Sequence, residues 1–304
     1  KLQTAVKKLV VLYISLFPFP VAAEEEYSLE AEIELGYGYD SNVSVDDLDL
    51  STNIGDQFAD INMSGNVNYK SQKDVRYSAS LTLSQKLYDT FDQFDGLLAL
   101  ASLSASKEVG DFEFGLTARY IDYQLDDDGF LTITQFSPTV GWFHSKKTYL
   151  RFAFERSDES YEQNSLRDNK RDVISASFYY FVNGLRKYIA VQTEIAQKKA
   201  DASVFDNDAW QIRFSFFNRL NFFSRASTLK LAYQYQERDY EESVNPVIGD
   251  FREDQRHRYE IELTTPINDH WSVISKIISN DYESNLASSD YTQQVYQLTV
   301  RYDF

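Results

Sequence analysis

Charged side chains recur at every second position along much of this 304-residue chain. Glu30, Glu32 and Glu34 alternate with apolar residues near the start, and Arg301 has the same kind of position near the end. Successive side chains of a β-strand point to opposite faces, so this spacing predicts a charged face and an apolar face. A face of ionisable groups can attract, repel or orient dissolved ions. The same alternation predicts that this face also holds Arg76, Arg119, Arg213, Arg258 and Glu260.

Histidine is the most frequent general base in enzymes, and the chain has three histidines. His144 and His270 fall in predicted turns, and His257 falls on the apolar face of a predicted strand. None of them is placed beside a nucleophile by this pattern. The chain has no cysteine, which excludes disulfides and thiolate metal sites. We therefore expect no catalytic residue, no enzymatic activity and no cofactor.

Three aspartate-rich stretches supply the oxygen atoms that calcium prefers as ligands. They cover residues 46–49, 126–128 and 206–208. Their spacing matches no complete calcium-binding loop, so the sequence predicts no metal site. We expect solvated loops, which divalent ions could bridge to lipopolysaccharide.

The first 23 residues have the pattern of a secretory signal peptide. Lys7 and Lys8 precede a mostly apolar run, and Ala22-Ala23 forms a small-residue cleavage site. The segment contains three lysines and no acid, so its removal would change the net charge from −17 to −20. Such an acidic protein is not expected to bind nucleic acid. Residues 24–304 are the predicted mature domain.

Fourteen segments of about 10 residues alternate in this way, which is the length that a tilted strand needs to cross a bilayer. Short and long connectors also alternate between them, and 22 Tyr and 22 Phe can supply aromatic girdles. The pattern predicts an all-β fold, a transmembrane antiparallel up-and-down barrel of about 14 strands in the bacterial outer membrane. The even count predicts that both termini are periplasmic. The long outer connectors are 40–57, 157–169, 199–208, 238–254 and 280–290.

The C-terminal segment ends on an aromatic residue with hydrophobic residues at every second position before it. Tyr302 and Phe304 are the last two of these. This resembles the strand that the outer-membrane assembly machinery recognises, so we expect that machinery to be a partner. Membrane lipid is the other expected contact.

Residues 36–43 read Gly-Tyr-Gly-Tyr-Asp-Ser-Asn-Val. This segment resembles the Tyr-Asp-Ser-Asn element that opens the barrel of the surface lipoprotein assembly modifier family. The resemblance implies a 14-stranded barrel. Well-known members carry a periplasmic tetratricopeptide domain before the barrel, whereas only residues 24–26 stand there in this chain. The resemblance therefore implies a stand-alone barrel.

Two functions fit these predictions. The first is a channel that passes solutes, or an exported polymer or polypeptide, through a polar lumen. The alternative is a structural or interaction barrel that docks a periplasmic or surface protein through its acidic outer loops or its periplasmic turns. The connector 238–254 motivates the alternative, because it is long enough to fold inward or to contact another protein. The lumen charges either set up a transverse field or pair across strands, and we favour pairing.

Overall fold

The computed structural model describes residues 27–45, 48–222 and 225–304. Fourteen long strands in these ranges form one closed antiparallel barrel, in which each strand pairs with the next and the last pairs with the first. The predicted signal peptide and residues 24–26 lie outside the described residues. The strands are β1 (Tyr27–Asp40), β2 (Asp56–Lys70), β3 (Val75–Tyr88), β4 (Gly96–Val109), β5 (Phe112–Leu125), β6 (Asp128–Ser145), β7 (Thr148–Tyr161), β8 (Asn169–Phe181), β9 (Lys187–Ala200), β10 (Asn207–Phe222), β11 (Arg225–Asn245), β12 (Asp250–Pro266), β13 (Trp271–Ser284) and β14 (Tyr291–Asp303).

The outer face of the sheet is apolar, as the alternation predicts. On β1, Leu35, Tyr37 and Tyr39 are each about half exposed, while the glutamates between the apolar positions point to the other face. Aromatic pairs lie near the barrel ends, such as Trp271 with Tyr302 at 4.8 Å between ring centroids. The prediction of a closed 14-stranded barrel is confirmed. In the described part of the chain, no helix is both long and apolar enough to cross a membrane.

The two ends of the barrel differ in their connectors. One end has short turns, such as residues 71–74, 110–111 and 146–147, and is called the turn end below. The other end has the segment 41–55 and most of the longer connectors, and is called the loop end. Along the chain, connectors at the turn end and connectors at the loop end alternate as the sequence predicts, because every strand is antiparallel to its neighbours.

Three loops of the loop end share one compact design. Each contains a single 3-10 turn followed by an aspartate, and that carboxylate accepts a hydrogen bond from the backbone N–H at the end of the preceding strand. The aspartate side chain closes the loop and satisfies a backbone donor that the barrel leaves unpaired. These pairs are Asp95 with Tyr88 at 2.7 Å, Asp168 with Tyr161 at 2.6 Å and Asp206 with Ala200 at 2.5 Å.

The expected connector 238–254 is wrong, because most of it belongs to the wall. β11 and β12 stay paired through Tyr240 and Arg252, and only residues 246–249 separate the two strands. Apolar alternation fades there because side chains on both faces are polar, yet the backbone ladder continues. The hairpin Arg225–Pro266 therefore extends the barrel wall beyond the neighbouring strands, and it no longer supplies a free loop for docking.

Candidate functional site

The segment between β1 and β2, residues 41–55, is called the first loop. It contains a small hairpin formed by Ser44–Val45 and Leu50–Ser51. Val45 and Leu48 pack against a buried cluster of Phe130 and Tyr161, which belong to β6 and β7. In a closed ring of fourteen strands, β8 lies opposite β1, and β7 and β6 are the two strands before it. The first loop therefore folds inward across the loop end of the barrel and narrows its opening.

The base of the first loop is held by the Tyr-Asp-Ser-Asn segment. Asp40 is 1% exposed and accepts hydrogen bonds from the Tyr88 hydroxyl at 3.0 Å and from Gln293 Nε2 at 2.9 Å. Asn42 Nδ2 donates to the carbonyl of Thr292 at 3.2 Å. Gln293 and Thr292 lie on β14, so this segment joins the first loop to the seam between the first and last strands.

The tip of the first loop is held by two arginines, one from the connector after β7 and one from β12. Asp49 lies 2.8 Å from Arg167 Nη2 and 2.8 Å from Arg252 Nη2, and it accepts a third bond from Ser289 Oγ at 3.1 Å. Burial disfavours the charged carboxylate. The hydrogen bonds and charges of Arg252 and Arg167 outweigh burial, so the pKa of Asp49 lies below its usual value.

A cavity of about 200 Å³ opens beside Asp49, along the inner side of β7 to β12. In the part of its lining that the structure describes, the acids Asp49 and Glu159 are outnumbered by the cations, although the chain as a whole is strongly acidic. We call it the basic cavity. Aromatic rings lie against three of these cations, for example Phe205 at 4.3 Å from the Arg167 guanidinium. The cations are Arg167, Arg171, Lys198, Arg238 and Arg252.

The opposite wall has the opposite charge. The strand register places six acidic residues on one face of β1 and β2. This face is opposite to the face that carries the exposed apolar side chains. Facing walls of opposite sign produce an electric field across the lumen. The six acids are Glu30, Glu32, Glu34, Asp40, Asp56 and Asp60.

The nine predicted lumen residues all lie on this inner face, and most of them are in ion pairs. Arg301 Nε lies 2.7 Å from Glu34 Oε1 across the seam and 3.5 Å from Glu32. Arg76 pairs with Glu108 and Glu113 near the turn end. Cross-strand pairing therefore accounts for much of the wall. That these side chains contact a permeating solute stays a prediction.

A second cluster of ion pairs surrounds Glu260 in the middle of β12. Glu260 is 6% exposed, and its carboxylate lies 2.6 Å from Lys230, 3.1 Å from Arg213 and 3.9 Å from Arg258. Three cations share one carboxylate, so this part of the wall keeps an excess of positive charge. Arg119 has the same inward register on β5.

Below the basic cavity, toward the turn end, a series of aromatic rings covers the same wall. Each ring contacts the next across β6 to β10, with centroids between 4.5 and 6.4 Å apart. Their positions on the strands give them the same inward parity as the charged residues. We call this set the aromatic row: Phe143, Tyr149, Tyr179, Phe181, Tyr188 and Phe217.

The described residues of the aspartate-rich stretches stabilise turns and loops. Asp126 and Asp127 form a two-residue turn with φ of 54° and 61°, a left-handed conformation that Asp tolerates. Asp206 closes its loop and lies 3.5 Å from Lys199. Asp49 is bound to arginines and not solvated, which corrects the expectation for that residue, while residues 46 and 47 of the same stretch lie outside the described residues. Within residues 27–45, 48–222 and 225–304, no group of three or more His, Asp or Glu side chains is placed to hold a metal ion.

The histidines lie where the alternation places them. The His257 ring packs against Tyr235 at 4.9 Å and accepts or donates a hydrogen bond with the Tyr233 hydroxyl at 3.0 Å, on the face of β12 that carries exposed Tyr259. His144 contacts Trp142, and His270 contacts the carbonyl of Asp303, both at the turn end. The lack of enzymatic activity stays a prediction.

Several residues of the site are absent from the sequence prediction. Arg238 and Arg252 fall in the segment assigned to a connector, whereas Arg171 and Lys198 lie just outside the predicted connectors 157–169 and 199–208 but are not among the predicted lumen residues. Extending the alternation by a few residues would have placed all four on the inner face. The ion pairs of Asp49 leave no signal in the local sequence, because their partners lie far away along the chain.

Comparison with solved structures finds barrels of the same kind. The anion-selective porin from Comamonas acidovorans matches with a TM-score of 0.57 at 8% identity, over 92% of this chain and 100% of that chain. The chain has the fold of bacterial outer-membrane β-barrels. OmpT of Vibrio cholerae matches this barrel with a TM-score of 0.54 at 10% identity, over 94% and 100% of the two chains.

The other two comparisons return nothing for this barrel. No protein-family model and no curated protein sequence matches the chain. The resemblance of residues 36–43 to the surface lipoprotein assembly modifier family is not confirmed and stays a prediction.

Proposed function

We propose that this chain is an outer-membrane channel that passes small hydrophilic solutes. The inward fold of the first loop carries this proposal. Asp49 anchors the loop tip to Arg167 after β7 and to Arg252 on β12, so the opening is narrowed but charged side chains remain around it. An apolar exterior and a charged interior suit a water-filled passage through lipid.

The same loop argues against export of a polymer or polypeptide. A long chain would need the loop to leave its place, and that would separate Asp49 from two arginines and Leu48 from its apolar cluster. The scaffold alternative loses its motivating feature, because residues 238–254 are mostly strand. Diffusion of small solutes requires neither change.

The proposal includes an orientation and partners. The loop end faces the cell exterior, where the acidic loops meet lipopolysaccharide, and the turn end faces the periplasm together with both termini. Tyr302 and Phe304 serve as the assembly signal. Phe304 is 75% exposed and its backbone N–H donates to the carbonyl of Ala31, so its side chain is accessible at the turn end.

Recordings from the full-length chain in planar lipid bilayers test the proposal. We expect stable current steps of one size, because the first loop is anchored at several points. Bilayers that stay silent while the protein is inserted and folded would contradict a channel function.

Selectivity measurements show whether the acidic wall lines the path. Changing Glu30, Glu32 and Glu34 together to Gln should lower the preference for cations, measured as the reversal potential in a KCl gradient. The matched control removes three exposed carboxylates at the turn end: Asp74→Asn, Asp111→Asn and Asp269→Asn. Equal shifts in the two variants would mean that the acidic wall does not line the path.

A further inference from the structure

We propose that the preferred solute of this channel is an acidic oligosaccharide, a short sugar chain that carries carboxylates. The inference rests on the proposed function and names its substrate class. Two features of one wall support it: the basic cavity at the loop end and the aromatic row toward the turn end.

Acids in and beside the basic cavity neutralise part of its positive charge. Asp49 is engaged by Arg167 and Arg252, Asp254 lies 2.9 Å from Arg252, and Glu159 lies 3.4 Å from Lys198. Arg171 lies within electrostatic range of Glu155 on the next strand, but it makes no ion pair within 4 Å among the described residues. Arginine donors match the geometry of a carboxylate, so a negatively charged ligand would supply the missing partner.

The size of the cavity restricts what can enter it. A volume of about 200 Å³ is below the range of roughly 300–1,000 Å³ that is usual for sites enclosing a drug-sized ligand. The cavity therefore fits one charged unit of a longer molecule, or a small acid. A folded protein segment or a large aromatic ligand would not enter.

The aromatic row distinguishes a sugar acid from a simple acid. Aromatic rings offer apolar faces, and the Tyr149, Tyr179 and Tyr188 side chains add hydroxyl groups beside them. A ligand that suits this surface has apolar faces and hydroxyl groups in alternation, which describes a sugar ring. The row extends across five strands, so it suits an extended chain of rings better than a single ring.

The two features lie in sequence along the same strands. On β8, Arg171 and Tyr179 are separated by eight residues, which is about 26 Å along the strand. A short oligomer would meet the basic cavity first and the aromatic row next. The acidic wall formed by β1 and β2 repels carboxylates and keeps them near this side of the lumen.

Equilibrium titration calorimetry on the full-length chain folded in detergent micelles tests the inference without requiring ion conduction. The probes are hexagalacturonate, neutral maltohexaose and succinate, because a chain of six sugar units spans roughly the distance between Arg171 and Tyr179. We expect hexagalacturonate to bind at least about tenfold more tightly than either of the others, since it alone engages both features. Equal affinity for maltohexaose would overturn the role of charge, and equal affinity for succinate would overturn the role of the rings.

Variants assign the binding to the two features. Arg171→Gln should weaken hexagalacturonate binding about tenfold, the effect of one charge-assisted hydrogen bond. Tyr179→Ser with Tyr188→Ser should weaken hexagalacturonate binding but leave succinate binding unchanged. The control Arg186→Gln removes a positive charge from a turn-end connector and should change neither. An unchanged affinity in Arg171→Gln would place the anion elsewhere and refute the assignment.

Calorimetry tests the binding site and bilayer recordings test the channel function, so either proposal can be refuted without the other. A channel that conducts but binds none of the three probes would refute the acidic oligosaccharide and leave the channel function intact. A barrel that binds hexagalacturonate but never conducts would refute the channel function and leave the binding site.

Discussion

Replacing Asp49 with Asn should loosen the first loop and widen the channel intermittently. Asn keeps the size of the side chain and some hydrogen bonds, but it removes the charge that Arg167 and Arg252 share. Both arginines are well buried, with side chains 17% and 4% exposed, so solvent screens these pairs less than surface pairs.

The size of the effect follows from these contacts. A hydrogen bond to a charged group contributes about 1.5 kcal/mol at the lower end of its range, so the two pairs together contribute about 3 kcal/mol. Since about 1.4 kcal/mol corresponds to a factor of ten, the ratio of anchored to released loop should fall about 100-fold. Val45 and Leu48 still pack on the far wall, so the loop should return repeatedly to its place.

Single-channel recording is the assay. The wild-type channel should stay at one current level, whereas Asp49→Asn should show frequent visits to a larger one. Asp126→Asn is the control, because it removes one acidic charge from a loop-end turn whose left-handed φ Asn also tolerates. If both variants record the same steady level as wild type, the ion pairs of Asp49 do not position the first loop.

Three further predictions concern charge, the seam and pH. Glu260→Gln leaves Lys230 and its neighbouring arginines without their shared carboxylate, so the reversal potential should shift toward anion selectivity. The free energy of unfolding, measured in urea, should fall by about 2 kcal/mol. Asp40→Asn weakens the buried hydrogen-bond acceptor of the Tyr88 hydroxyl. The free energy of unfolding should fall by about 2 kcal/mol, measured by denaturant unfolding of the barrel. Because the pKa of Asp49 is lowered in the folded protein, loop anchoring is fully present above the ordinary pKa of 3.8. The anchoring is lost as pH falls through the pKa of Asp49 in the folded protein. Larger current levels should therefore appear only in strongly acidic buffer.

The barrel could be predicted from the sequence because lipid imposes a strict pattern. Positions such as Leu35 and Tyr37 must be apolar where they face hydrocarbon, while the glutamates between them face water, so strands show as alternation. Outside the bilayer both faces of a strand are wet and the alternation disappears. β11 and β12 continue there through Arg238 and Arg252, which is why the prediction assigned them to a connector.

The site could be predicted only in part. Inward charges such as Glu260 follow from strand parity alone. The path of the first loop depends on pairs such as Asp49 with Arg252, which join distant segments, and no local pattern marks them. The aspartates that close the loops do follow a sequence pattern. Each is an Asp six or seven residues beyond the last residue of the preceding strand, as in Asp206 and Asp95.

The contacts of Asp40 and Asn42 with β14 link permeability to the order of assembly. Gln293 and Thr292 lie on β14, the last strand of the barrel in chain order, so this strand is synthesised after the other thirteen. Until β14 pairs with β1, the base of the first loop has no partner on that side. The hydrogen-bonding step that completes the wall is therefore also the step that fixes the base of the first loop, so the opening reaches its final shape only when the barrel has closed.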